Sequence, residues 1–205
     1  MKHKIQRINS YDDERFDKEI LTQHGAFVVD GKYNCGFKII NENSAIAFYD
    51  NEIDVLQLID EFRFYSEHIV NFYDKHMELI KAFPPIDVFS IAIKEIQPSQ
   101  FFVDKDKVEA IQSFINNEED IIIPLAKLKD SFISLDGHTR LYYAVSRGYD
   151  KVKGYLTEPG DYLEGFVEEA RKRKVYSPYD LELISHEDYK IKWDKFCDDF
   201  FKARE

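Results

Sequence analysis

The sequence predicts an α+β chain in two parts: an N-terminal β-meander with a long helix over residues 1–84, then a small mixed sheet with helices over 85–205. Three observations carry this. Short β-rich runs separated by turn residues fill 20–50, and apolar residues then recur at helical spacing across 53–82. After Phe83-Pro84-Pro85, strand-like and helix-like runs alternate to the C-terminus. A chain of 205 residues with 44% apolar content suffices for one larger core or two small ones.

Residues 1–20 are polar and read as a partly ordered lead-in. "AFVVD" (26–30), "GFKII" (36–40) and "SAIAFYD" (44–50) read as three strands, joined by the turn-rich "GKYNCG" and "NENS". Val55, Ile59, Phe62, Ile69, Tyr73, Met77 and Ile80 recur at spacings of three, four or seven, which is one face of a helix. Pro84 ends it, because proline lacks an N–H and pushes the preceding residue out of helical geometry. In the second part "DVFSIAIKEI" (87–96) reads as a strand and "KDKVEAIQSFI" (105–115) as a helix. "DIIIPLAKL" (120–128) and "SFISLD" (131–136) read as strands, "HTRLYYAVSRG" (138–148) as a helix closed by Gly148, and "KVKGYLT" (151–157) as a strand. "DYLEGFVEEARKRK" (161–174) and "SHEDYKIKWDKFCDDFFKAR" (185–204) complete the helices, the second opened by Ser185 with Asp188 three residues on.

Net charge is −11, and acid exceeds base in every third of the chain, which disfavours binding along a nucleic-acid backbone. The basic cluster Arg171-Lys172-Arg173-Lys174 closes a predicted helix, where cations suit the dipole. No run has the length of a membrane span, and the N-terminus lacks the apolar middle of a signal peptide, so a cytoplasmic setting without membrane contact is expected. Cys35 and Cys197 have no metal-ligand spacing around them and are expected to be ordinary reduced thiols. His68 and His76 miss the i, i+4 face that would pair them on one metal.

Chemistry concentrates in "ISLDGHTRLYYAVSRG" (133–148), where a strand-like run stops at Asp136-Gly137 and a helix begins behind it. A strand-to-helix turn presents free backbone N–H groups at the positive end of the helix dipole, an anion site. Gly137 lets the backbone approach a ligand, Thr139 can bond a phosphate oxygen, and Arg140 can clamp two. Asp136 would hold a metal ion, orient His138, or accept a proton from a substrate hydroxyl. The simpler alternative is an Asp-Gly turn with Thr139 capping the helix and Arg140 on its solvent face.

The wider stretch 93–156 resembles the ParB/sulfiredoxin superfamily: "IKEIQPSQ", the helix after "VDKDKV", the "IIIP" strand, "LDGHTRL" and the closing "VKGYL" stand in the family's order. The resemblance implies a small mixed sheet of ParB/sulfiredoxin type whose turn binds nucleotide phosphates, here through Gly137, His138, Thr139 and Arg140. Members include CTP-binding partition proteins, ATP-using sulfiredoxins and free-serine kinases that use ATP or ADP. "DGHTR" is most similar to the D-G-x-H-R turn of the kinases. That similarity implies ATP or ADP as cofactor, with CTP as the alternative, Mg²⁺ held by Asp136, and catalytic roles for Asp136 and His138.

Two positions depart from the kinase pattern. Thr139 stands where those kinases have histidine, with His138 beside it. Gln100 stands where they carry a catalytic glutamate, and an amide cannot take a proton from a hydroxyl, which leaves Glu95 as the nearby carboxylate in sequence. The sulfiredoxin cysteine is absent from the turn, whereas the partition-protein skeleton persists as Gly137, Arg140 and Ala144. The expectation is a nucleotide-binding protein that transfers phosphate to a small hydroxyl substrate. A non-catalytic nucleotide-sensing or interaction module is the alternative, and DNA binding the least supported. The aromatic-rich segment 20–82 is expected to cover the site and select a substrate, or to form a homodimer or partner-binding surface. Trp193, Tyr189, Phe196 and Phe200 form an apolar stripe expected to dock on the sheet.

Overall fold

The computed structural model describes residues 3–50, 52–64, 66–112 and 115–204. The chain is α+β with mixed sheets and divides into two compact units, Met1–Asp87 and Val88–Glu205.

In the first unit β1 (Ile5–Arg7), β2 (Ala26–Val29), β3 (Tyr33–Asn41) and β4 (Ser44–Tyr49) pair antiparallel in sequence order. Strands β2 to β4 are the meander read from the sequence. The lead-in is more ordered than expected. It supplies β1 at the sheet edge and the short helix α1 (Lys18–Thr22), whose Ile20 and Leu21 pack with Ile8, Ala26 and Val28.

The long helix over 53–82 is a correction. Helix α2 spans only Val55–Arg63 and is followed by β5 (Asn71–Asp74), parallel to β4, and β6 (Leu79–Ala82), antiparallel to β5. Parallel neighbours need a crossover, and α2 provides it by burying Val55, Leu58, Ile59 and Phe62 against Phe27, Phe37 and Phe72. The segment leaves the helix for identifiable reasons. The Arg63 guanidinium turns back to bond the Glu67 and Ile69 carbonyls. The Asp74 carboxylate accepts the N–H groups of His76 and Glu78, closing a turn in which Met77 has φ 66°. Ile69 and Phe72 are buried while Met77 is 54% exposed, so the helical spacing of 69, 73 and 77 does not mark one buried face.

The second unit holds a sheet in the order β7 (Val88–Ala92), β12 (Lys151–Leu156), β10 (Ile122–Leu128), β11 (Ser131–Ser134), β8 (Ile96–Pro98). Pairings alternate between antiparallel and parallel across it. Strand β10 is central and covered on both faces, which is why its sequence is a continuous apolar run rather than an alternating one. The predicted strand 87–96 is broken by a 3₁₀ turn at Ile93–Glu95 into β7 and the start of β8, which lie on opposite edges of the sheet.

A small parallel pair, β9 (Phe102–Asp104) with β13 (Glu182–Ile184), has no counterpart in the sequence reading. Helices α3 (Lys105–Ile111), α4 (His138–Ser146) and α5 (Leu163–Lys172) follow the expected positions. The C-terminal helix comprises α6 (His186–Tyr189), a π-helical stretch (Lys190–Asp194) and α7 (Lys195–Lys202). Its aromatic stripe docks mainly on Phe101 and on Phe166 of α5: Trp193 and Phe196 lie 5.0 and 5.1 Å from the Phe101 ring, and Phe200 lies 4.6 Å from Phe166. The basic cluster is engaged internally. Arg173 pairs with Glu169 and sits 4.3 Å above the Phe101 ring, and Arg171 bonds the buried Gln97 amide oxygen at 3.0 Å. Among the described residues no helix is long and apolar enough to cross a membrane.

Candidate functional site

Strand β11 ends at Ser134, and the chain turns through Asp136-Gly137 into α4. Gly137 is the N-cap with φ 79°, left-handed geometry that glycine adopts without strain. The N-cap position is Gly137, so Thr139, already inside the helix, is not the cap that the simpler reading expects. The first intrahelical bond runs from Leu141 N–H to the Gly137 carbonyl at 2.9 Å. The N–H groups ahead of it have no acceptor within the helix.

The turn is braced from both neighbouring strands. Parallel pairing of Pro98 with Ser134 brings Ser99, just beyond β8, against His138. The Ser99 N–H donates to His138 Nε2 at 3.2 Å, the Ser134 hydroxyl lies 3.1 Å from the same nitrogen, and the Ser99 hydroxyl donates to the Ser134 carbonyl at 2.7 Å. Accepting the Ser99 N–H places the ring proton of neutral His138 on Nδ1. On the β10 side, Arg140 Nη1 donates to the Ile122 carbonyl at 2.7 Å, and Nη2 lies 3.7 Å from the Asp136 carboxylate. Sequence reasoning missed Ser99, Ser134 and Ile122. The "P-S" after the "IQ" step marked the place, but its nearness to residue 138 depends on strand pairing.

His138 is 4% exposed, and its burial pushes the imidazole down to about 4, with the Arg140 charge acting in the same direction and Asp136 opposing. It is therefore uncharged at neutral pH, and its Nε2 is engaged as an acceptor. The ring thereby fastens the turn to the end of β8 through Ser99. Arg140 departs from the solvent-face expectation, its side chain being 25% exposed and tied to the sheet. Asp136 is the outward member, with 57% of its side chain exposed.

Glu95 is not brought to the turn. Strands β8 and β11 run parallel with Ile96 opposite Phe132, so Glu95 enters the strand pair where Asp136 leaves it. The four residues of β11, roughly 13 Å of strand, separate the two ends. Gln100 lies two residues beyond β8, at the end nearer the turn, but its amide donates to the Phe102 carbonyl and the Tyr189 hydroxyl. A groove lined by Lys129, Ser131, Glu164, Glu168 and Arg171 contains none of residues 136–140.

No family model and no curated protein matches this chain. Among solved structures, protein Atu1540 from Agrobacterium tumefaciens is similar over 49% of this chain and 63% of its own, at 19% identity and a TM-score of 0.34. The chain thus spans less than two thirds of that protein.

The close packing at Gly137 makes a measurable prediction. A Cβ there would lie 2.7 Å from Ile123 Cδ1 and 3.0 Å from Arg140 Nη2, whereas one at Gly148, φ 73°, meets nothing within 4 Å. Gly148→Ala is expected to cost about 1 kcal/mol for the left-handed backbone alone. Gly137→Ala is expected to cost about 2–3 kcal/mol, since Ile123 is fully buried and has little room to yield. Urea unfolding midpoints of the two variants check the difference.

Proposed function

We propose that residues 136–140 bind the phosphates of a nucleotide, and that the second unit is a nucleotide-sensing module of ParB/sulfiredoxin kind. The observation that carries this reading is the glycine-led start of α4. Gly137, at φ 79°, is the N-cap of a nine-residue helix and brings no side chain of its own, and the first N–H groups of a helix have no acceptor within it. Such N–H groups, with the helix dipole behind them, favour an anion. Thr139 adds a hydroxyl donor, and the Arg140 charge raises the local potential even while the side chain is anchored.

Binding without transfer is supported by the state of the bases. His138 is neutral and buried with its Nε2 engaged, Gln100 is an amide, and Glu95 lies at the other end of β8. A second reading, transfer of phosphate from ATP or ADP to a small hydroxyl compound, is favoured by Asp136. Its half-exposed carboxylate adjoins the turn, where it could coordinate Mg²⁺ or take the acceptor's proton. Phosphoryl transfer depends chiefly on positioning and charge neutralisation, so one carboxylate with Mg²⁺ is a workable minimum.

Calorimetry with ATP, ADP and CTP, with and without Mg²⁺, tests the proposal. At least one is expected to bind, and Thr139→Val to weaken binding roughly tenfold, the worth of one hydrogen bond to a charged group. If none of the three binds, both readings fall. Nucleotide recovered intact after incubation with serine-like hydroxyl compounds supports sensing. Turnover that disappears in Asp136→Ala would establish transfer instead.

A further inference from the structure

We propose a second ligand site, a divalent transition-metal site formed by Asp104, Asp106 and His186. It rests on different residues from the phosphate turn and stands or falls separately.

Parallel pairing of β9 with β13 places Ile184 opposite Asp104 and so delivers His186, two residues on, to the end of β9. His186 Nδ1 lies 2.8 Å from Asp104 Oδ2, while Asp104 Oδ1 accepts the Asp106 N–H at 3.0 Å. The three side chains each present a ligand atom, and these atoms all lie within 4.8 Å of one another. Asp104 is the fixed wall of the site, its side chain 1% exposed, and His186 is 41% exposed, so the cluster opens to solvent on one side. Asp106 is exposed and can close onto an ion by side-chain rotation.

Two carboxylates and an imidazole converge here, and one of the carboxylates is buried. The neighbouring lysines serve other groups: Lys105 reaches toward Glu109 at 3.9 Å, and Lys107 lies 4.6 Å from the centre of the Tyr189 ring. A dication would neutralise the pair. Its ligand set of one imidazole nitrogen and two carboxylate oxygens selects a first-row transition ion such as zinc over magnesium or calcium, which prefer oxygen alone. Ligand atoms about 2.0–2.2 Å from a tetrahedral zinc stand roughly 3.4 Å apart, so Asp104 Oδ2 and His186 Nδ1, now 2.8 Å apart, need to part by only about 0.6 Å to take the ion between them. Three protein ligands leave positions open for water or a ligand atom.

The test uses the full chain stripped of metal with a chelator and titrated calorimetrically with zinc, manganese and magnesium chlorides at pH 7. Zinc is expected to bind one ion per chain, at least tenfold more tightly than magnesium. Asp106→Asn and His186→Asn should each weaken zinc binding by about tenfold or more. Both substitutions spare the buried Asp104, and the asparagine at 186 keeps an N–H donor for it. Three results would each overturn the proposal: no saturable zinc binding, equal affinity for zinc and magnesium, or zinc affinity unchanged in both variants. The last would mark diffuse attraction to an acidic surface.

Discussion

Stability is expected to fall by about 3 kcal/mol as pH drops from about 6.5 to about 4, and His138→Gln to remove that part of the fall. The His138 imidazole is held down to about 4 in the folded chain by burial, against 6.5 for the free side chain. Between those values the unfolded chain takes up a proton that the folded chain refuses. Stability therefore rises with pH across the window and is complete above it, at 1.36 kcal/mol for each unit between the two pKa values. The fold refuses the proton because His138 Nε2 is already an acceptor for the Ser99 N–H in a buried pocket. Glutamine at 138 offers an oxygen near the Nε2 position and does not titrate. Urea unfolding at a series of pH values, for the wild type and the variant, checks the slope. Parallel curves would mean that other groups set the acid limit.

Phe37→Ala is expected to cost about 3–5 kcal/mol, a large part of the stability of a domain this size. Phe37 lies in the middle of β3 and is fully buried. Its ring stacks on Phe62 with centroids 4.9 Å apart and meets Phe27 and Phe72 edge-on at 5.9 and 5.8 Å. Truncation removes the residue that joins the sheet to its crossover helix, and rings arranged in a T around it cannot slide inward to fill the gap. Phe48, on the adjacent strand but 40% exposed, provides the comparison, with Phe48→Ala expected to cost under about 1 kcal/mol. Far-UV circular dichroism during urea unfolding of both variants measures the difference.

These two expectations concern residues that the sequence presents very differently. Phe37 sits in "GFKII", a run that reads as a strand on its own, and the structure makes it one. His138 sits in a motif that reads as chemistry, and the structure turns its ring inward. The stretch 53–82 shows the limit of periodicity. Ile69, Tyr73 and Met77 fit a helix by spacing, but the turn at Asp74 and the pairing of β5 with β4 outweigh that local pattern. Gln100 was legible as a departure from the kinase pattern, and its hydrogen bonds to Phe102 and Tyr189 place it in the scaffold.

By itself the sequence determined the local features that few residues control. These include the buried central strand "IIIPLA", the glycine turn that opens α4, the Gly148 terminus with φ 73°, and the Ser185 cap that accepts the Asp188 N–H. Only the tertiary structure decided which side chains meet. It set Ser99 and Ser134 against His138, placed Glu95 at the wrong end of β8, and joined His186 to Asp104 across 82 residues of chain. The physical reason is that turns, caps and periodicity arise from interactions within a few residues. Register between distant strands is instead chosen by the packing of the whole core, and no short stretch encodes it.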